Sequence, residues 1–388
     1  MAVSNIEAFL EAFDFGPQIS HIKIHDSVAA RMVQTHSASV YVRKIGHPKT
    51  GVLVASVSAE ADEVIMTFAN HPSHTDLSPL HFNPATGHLH FDKEIELNVV
   101  FSGDDKVKKY EIIATISDYH IQAIQDYLFE EHEGNHGDII RYAFYRASGI
   151  GPRPLLIWLH GAWEGGDDLR IALLGNPTTR LSGDPIQAYF GGAHVLVPQA
   201  PTFWMDDGSG HYTKDGRSRY LEDLVDLIQD ALRRHSDIDA RRIYLGGSSN
   251  GGFMTMLLLI RHPEIFAAGF PVCEAYHHQW LTDDDLDVLR RQAIWFTASK
   301  DDRVVHVDQF TQATFDRLTE LKAKNIHLSL FEHVVDPSNQ YLDAEGHPWR
   351  YDGHGSWICV LNDQVFQIIN KKKQSLFSWL ASQKRSTS

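Results

Sequence analysis

The residues best spaced for chemistry are Gly247-Ser248-Ser249-Asn250-Gly251-Gly252. They follow the apolar run RRIYLGG and precede FMTMLLLIRH, so the pattern G-x-S-x-G falls between an expected strand and an expected helix. A turn that tight leaves room only for glycine beside the serine, and it lifts the serine hydroxyl out of the sheet. Ser249 is the candidate nucleophile. A hydroxyl attacks poorly unless a base takes its proton, so the reading requires a histidine and an orienting carboxylate later in the chain, in the order Ser, Asp, His.

The run QAIWFTAS at 292–299 is followed at once by Lys300-Asp301-Asp302, whose two aspartates compete for the acid position. After HLSLFEHV at 327–334 comes Asp352-Gly353-His354-Gly355-Ser356-Trp357, a glycine-rich loop able to bring an imidazole over the sheet. His354 is the candidate base, with His347, His333 and His306 as rivals. His333 is expected inside a strand and His306 lies beside the aspartates, where ordinary packing accounts for each. Attack on a carbonyl develops an oxyanion, which must meet backbone N–H groups already aimed at it. Asn250, the residue after the serine, supplies one amide, and the loop LHGAWEGGDD at 159–168 supplies the other through Ala162 or Gly161. Glu164 either orders this loop by accepting backbone hydrogen bonds or is a solvated surface carboxylate.

Two aromatic segments flank these motifs. TFWMDDGSGHYTKDGRSRY at 202–220 is expected to form a pocket wall, with Trp204 and Tyr212 available to stack on an acyl chain or aromatic acid, the alternative being an ordinary surface loop. EAYHHQWLTDDDLDVLRR at 274–291 sits where a small cap is expected, with Tyr276 or Trp280 at the entrance.

The elements that must hold the motifs change character along the chain. From about Ile19 to Ile116, short alternating runs are separated by turn residues: 21–25, 39–45, 51–57, 63–69, 88–101 and 109–116. Period-two runs of this kind predict antiparallel strands and a small β-sandwich of immunoglobulin-like type. Residues 117–137 read as a short helix or linker. Beyond the strand expected at 139–147, apolar runs at 154–161, 193–201, 292–299 and 327–334 alternate with helical spacing at 220–235, 253–262, 307–324 and about 363–383. Buried strands alternating with amphipathic helices predict a largely parallel sheet covered on both faces. The expected domains are therefore 1–118, all-β, and 119–388, α/β.

Composition excludes several classes of function. The 388 residues carry 35 Lys and Arg against 50 Asp and Glu, a formal charge of −15, which argues against a nucleic-acid partner because such binding needs a positive face. Cys273 and Cys359 cannot build a disulfide framework. The 24 histidines show no metal-ligand spacing, so no metal is expected. There is no membrane-length apolar run and no signal-peptide pattern at the N-terminus, and the chain reads as soluble and cytoplasmic.

The motifs also carry a resemblance. LHGAWEGG resembles the segment LHGAGERG, and GGSSNGGFMTM and FPVCEAY resemble GCSNGGYMTM and FPICEAY, of bacterial α/β-hydrolases in the prolyl oligopeptidase-like esterase group. IWFTASKDDRVV and HGSWI fit the same group, whose members include esterases with an N-terminal immunoglobulin-like domain. The resemblance covers about 139–385 and is only architectural over 1–116. It implies a serine carboxylesterase working through an acyl-enzyme, without cofactor, on a small-molecule ester. Ser249, Asp302 and His354 fall on the triad positions and Ala162 and Asn250 on the oxyanion hole. D-x-V-V-H also resembles the D-P-V-V-P turn of such esterases, which favours Asp302 over Asp301. Trp163, where the group often has glycine, either narrows the acyl pocket or caps its loop, and His306 stands where proline is usual. The string DDRVV is shared with prolyl oligopeptidases, which keeps a peptidase acting on short peptides as an alternative. About 120 residues in short strands are too few for the seven-bladed propeller of those enzymes. A non-catalytic binding or assembly protein is the third reading, and self-association through an open edge of the N-terminal sheet is expected as a means of oligomerisation.

Overall fold

The computed structural model describes residues 5–44, 47–92, 94–102 and 109–385. Ile45 and Lys93, which fall in two of the expected strands, lie outside the described residues. The chain divides into two compact units, residues 1–125 with 174–177, and residues 126–173 with 178–388.

The first unit is built, in its described residues, of antiparallel sheets with one short α-helix, Ser27–Met32, and fits an immunoglobulin-like domain. Asn5–Phe13, Gly16–His25, Glu63–Phe68 and Val54–Glu60 form one four-stranded antiparallel sheet, in that order. Tyr110–Ile116, Ile95–Ser102, Ser37–Lys44 and Thr50–Val52 form another. Alternate residues turn inward as the period-two pattern requires: Ile22 and Ile24, Val64 and Met66, Val40 and Val42, and Leu97 and Val99 are all nearly fully buried. Asn5–Phe13 is a strand that the sequence reading does not anticipate. Its apolar residues Ile6, Phe9, Leu10 and Phe13 recur at helical spacing, and nine residues of antiparallel pairing with Gly16–His25 override that local preference.

The second unit is built on an eight-stranded sheet. Its spatial order is Tyr127–Glu133, Ile139–Tyr145, His194–Gln199, Arg153–Leu159, Ile238–Ser248, Ala268–Val272, Ile294–Ser299, Ile326–Phe331. The first two pairings are antiparallel and the remainder parallel. Helices Leu221–Arg234, Asn250–Arg261, Asp283–Leu289 and Thr311–Glu320 connect the parallel strands. Strands buried on both faces, such as HVLVPQ at His194–Gln199, read as continuous apolar runs for that reason. This arrangement is the α/β-hydrolase fold. In place of a short helix or linker, residues 117–137 hold a short 3-10 turn at Gln122–Ile124 and the edge strand Tyr127–Glu133.

The expected final helix at 363–383 is also corrected. A hairpin, Phe366–Ile369 with Lys372–Ser375, precedes a short helix at Leu376–Ser382. Its two turn residues, Asn370 and Lys371, have φ of 51° and 66°, the left-handed pair a tight two-residue hairpin needs. Among the described residues no helix is long and apolar enough to cross a membrane.

Candidate active site

Ser249 lies between the end of Ile238–Ser248 and the start of the helix Asn250–Arg261, at φ 56° and ψ −111°. A positive φ at a residue with a side chain costs about 1–3 kcal/mol and persists only where the surroundings enforce it. Here the Ser249 amide donates to the Val272 carbonyl at 2.9 Å, and the Ser249 carbonyl accepts from Phe253 at 2.9 Å. Close main-chain packing does the rest. A methyl group on Gly251 would lie 1.9 Å from the Leu159 carbonyl oxygen, and one on Gly247 would lie 2.6 Å from the same atom. The serine is only half-buried, so the turn leaves it within reach of solvent.

The two aspartates part company. Asp302 Oδ2 lies 2.8 Å from His354 Nδ1, and the Asp302 side chain is 1% exposed. Its other oxygen accepts from the amides of Val304 and Val305, at 2.8 and 2.9 Å, which locks the carboxylate in place. Asp301 turns away, accepting from Ser299 Oγ at 2.5 Å, His333 Nδ1 at 3.0 Å and Arg350 Nη2 at 2.6 Å. Partial burial opposes ionisation of Asp301, but these three donors outweigh it and bring the carboxyl down to about 2. The rival histidines fall elsewhere. His306 is exposed, His347 pairs with Asp343 at 3.5 Å, and His333 lies beyond the end of its strand against Asp301.

The 159–168 loop is ordered from within. Glu164 is buried, and its Oε2 accepts the Gly161 amide at 2.7 Å. That bond commits the Gly161 N–H and leaves Ala162, first residue of the 3-10 turn Ala162–Glu164, with an amide the turn itself does not use. Asn250 stands in the same position in its helix. His160 braces the loop from below: Nδ1 lies 2.6 Å from the Gly161 carbonyl, while Nε2 accepts the Ala200 amide at 3.0 Å. The Asn250 side chain in turn accepts the Met205 amide at 3.1 Å, anchoring the 202–220 segment to the nucleophile turn.

Of the residues expected to touch substrate, Trp163 stays accessible at 57% exposure. Trp204 and Tyr276 do not. Trp204 is fully buried against His160 and Tyr220, and Tyr276, 1% exposed, stacks on Phe253 and meets Trp280 edge-on. Both belong to the core beneath the pocket wall, because a large aromatic gains more from full burial than from facing solvent. Tyr212 is half-exposed and packs on Phe203. His160, Arg350 and Cys273 went unanticipated, since each meets a partner distant in sequence, at Ala200, Asp301 and Asp302 respectively.

Residues 204–303, which span the nucleophile turn and the acid turn, match the model of the prolyl oligopeptidase family. Among solved structures, a thermostable esterase superposes with a TM-score of 0.74 at 20% identity, covering 98% of this chain and 99% of that one. An acylaminoacyl peptidase of Pyrococcus horikoshii gives a TM-score of 0.43 at 12% identity, covering 84% of this chain and 55% of the other. A probable chloroplastic glutamyl endopeptidase of Arabidopsis thaliana is 29% identical over 141 residues, which is 34% of this chain and 14% of that relative's length. The esterase likeness establishes the α/β-hydrolase fold, and the prolyl oligopeptidase family match spans the turns that bear Ser249 and Asp302.

Proposed function

We propose that the chain is a carboxylic ester hydrolase acting through an acyl-enzyme. Ser249 attacks the ester carbonyl. His354 takes the serine proton, gives it to the leaving alcohol and then activates water for deacylation. Asp302 holds the imidazole in the tautomer that keeps Nε2 free and stabilises its charged form. The amides of Ala162 and Asn250 receive the developing oxyanion, and Trp163 borders the acyl group. The observation that carries the reading is the 2.8 Å Asp302–His354 pair within a fold whose nucleophile turn holds Ser249 at positive φ.

Short peptides are the second substrate class, favoured by the family match over 204–303. Against it, the described residues of the N-terminal unit form two four-stranded sheets and one two-stranded hairpin, not the propeller that screens peptides in large oligopeptidases. A panel of p-nitrophenyl esters from acetyl to dodecanoyl, run beside p-nitroanilide peptides with Ser249→Ala as control, separates the two. Serine-dependent ester turnover with silent anilides is the expected outcome. Anilide turnover matching that of the esters reassigns the chain as a peptidase.

A further inference from the structure

Behind the Asp302–His354 pair lies a thiol that acyl transfer does not use. Cys273 follows the strand Ala268–Val272, is 1% exposed, and has φ 36°. Its amide donates to the Thr297 carbonyl at 2.8 Å, which fixes it at the end of the strand. Its Sγ, a carboxylate oxygen of Asp302 and a ring nitrogen of His354 all lie within 4.8 Å of one another. Burial pushes the thiol well above its ordinary value, and the charge of Asp302 adds to the push. In the metal-free chain the thiol therefore stays protonated and inert.

One sulfur, one imidazole nitrogen and one carboxylate oxygen are the donors a borderline-soft divalent cation takes. Zinc binds them at about 2.3, 2.0 and 2.0 Å in a tetrahedral array. From separations of at most 4.8 Å the three atoms need side-chain movements on the order of 1 Å to reach that geometry. The Ser356 hydroxyl borders the same thiol, and a water can fill the fourth position. Sulfur among the ligands selects zinc and cadmium over magnesium and calcium, which prefer oxygen alone. The imidazole, whose side chain is 15% exposed, is the point of access from solvent.

We propose that Cys273, Asp302 and His354 form an inhibitory site for a thiophilic divalent cation of the zinc and cadmium class. The inhibitory half of this rests on the triad reading given above. On binding, the Cys273 thiol proton leaves to solvent. The metal takes the Nδ1 position of His354 that otherwise donates to Asp302, and the imidazole carries its proton on Nε2. A nitrogen that already bears a proton cannot accept the one from Ser249, so acylation stops while the serine itself is untouched.

The full chain is titrated with cadmium, and the ultraviolet thiolate-to-cadmium charge-transfer band is followed. Ester turnover is measured in parallel against zinc, with magnesium as comparator. Cys359→Ser, in which Cys273 is the remaining cysteine, retains both the band and the inhibition, and a chelator restores turnover. Cys273→Ser loses the band and needs about 10- to 100-fold more zinc for half-inhibition of its own metal-free rate. A missing band in Cys359→Ser, or equal zinc sensitivity with and without Cys273, overturns the proposal. Should Cys273→Ser not fold, the band in Cys359→Ser decides alone. A metal-free chain whose Ser249 ignores a fluorophosphonate probe overturns the triad reading instead, and the cadmium band still tests the metal site independently.

Discussion

Arg350 Nη2 donates to Asp301 Oδ2 at 2.6 Å, and this ion pair ties the loop that carries His354 to the turn that carries Asp302. The tie is reinforced three residues on, where a methyl group on Gly353 would lie 2.4 Å from Asp301 Oδ1 and 2.5 Å from its carbonyl carbon. The two halves of the Asp302–His354 pair come from segments 52 residues apart, and Asp301 is where those segments are clamped together.

The neighbouring aspartates should therefore respond differently to the same substitution. Asp302→Asn removes the acceptor that sets the His354 tautomer and should lower kcat on the order of 10⁴-fold with a nearly unchanged KM. Asp301→Asn and Arg350→Ala loosen the clamp and should lower kcat by about 10-fold, a cost typical of small displacements at a reacting centre. Arg350→Lys, which keeps a donor, should restore part of it. Steady-state kinetics on one ester decide the matter, and an Asp301→Asn loss as deep as that of Asp302→Asn would exchange their roles.

Acid stability should carry the signature of Asp301. Its carboxyl is held at about 2 in the folded chain, below the roughly 3.9 of an unfolded aspartate. A depressed carboxyl contributes stability that is fully present above the unfolded value and is lost as pH falls through the folded one. The pH-dependent part of the stability difference between the parent and Asp301→Asn should be constant above about pH 5 and vanish by about pH 1, amounting to roughly 1–2 kcal/mol after screening. Thermal melts across that range measure it.

Glu164 should matter through the amide it occupies. Glu164→Ala releases the Gly161 N–H and unlatches the 3-10 turn, with an expected loss of about 10²-fold in kcat, comparable to removing one oxyanion donor. Glu164→Gln keeps an acceptor oxygen and should retain most of the rate. Fluorophosphonate labelling, which also develops charge on an oxygen, should slow in the same order.

Gly251→Ala should unfold or strongly destabilise the chain, by about 3 kcal/mol or more, because the new methyl meets main-chain atoms that cannot swing aside. Gly355→Ala is the control: its methyl meets the tip of Ile358 at an ordinary 3.4 Å. Urea midpoints of the two variants should differ accordingly, and similar midpoints would mean that the turn can relax.

The order of motifs along the chain made Ser249 and His354 legible as candidates, because strand ends in a parallel sheet converge on one edge whatever the loops between them do. Which of Asp301 and Asp302 faces His354 was not legible from spacing, since one step along a turn points neighbouring side chains in different directions. The depth of Trp204 and Tyr276 was equally hidden: the polar stretches that hold them, 202–220 and 274–291, read as pocket wall and cap, yet these two aromatics are what attach them to the core. Asn5–Phe13 and the Phe366–Ser375 hairpin misled for a shared reason. Their local spacing suits a helix, while partners elsewhere in the chain, or two left-handed turn residues, decide for strands.

On the proposed reading, the close approach of Gly251 to the Leu159 carbonyl holds the turn that bears Ser249 against the strand leading to the 159–168 loop by main chain against main chain. No side chain serves as a spacer there. The exposed Trp163 and the half-exposed Tyr212 are thus open to replacement without disturbing that main-chain contact. Selectivity can drift, or be engineered, on a reaction centre whose dimensions are inherited intact.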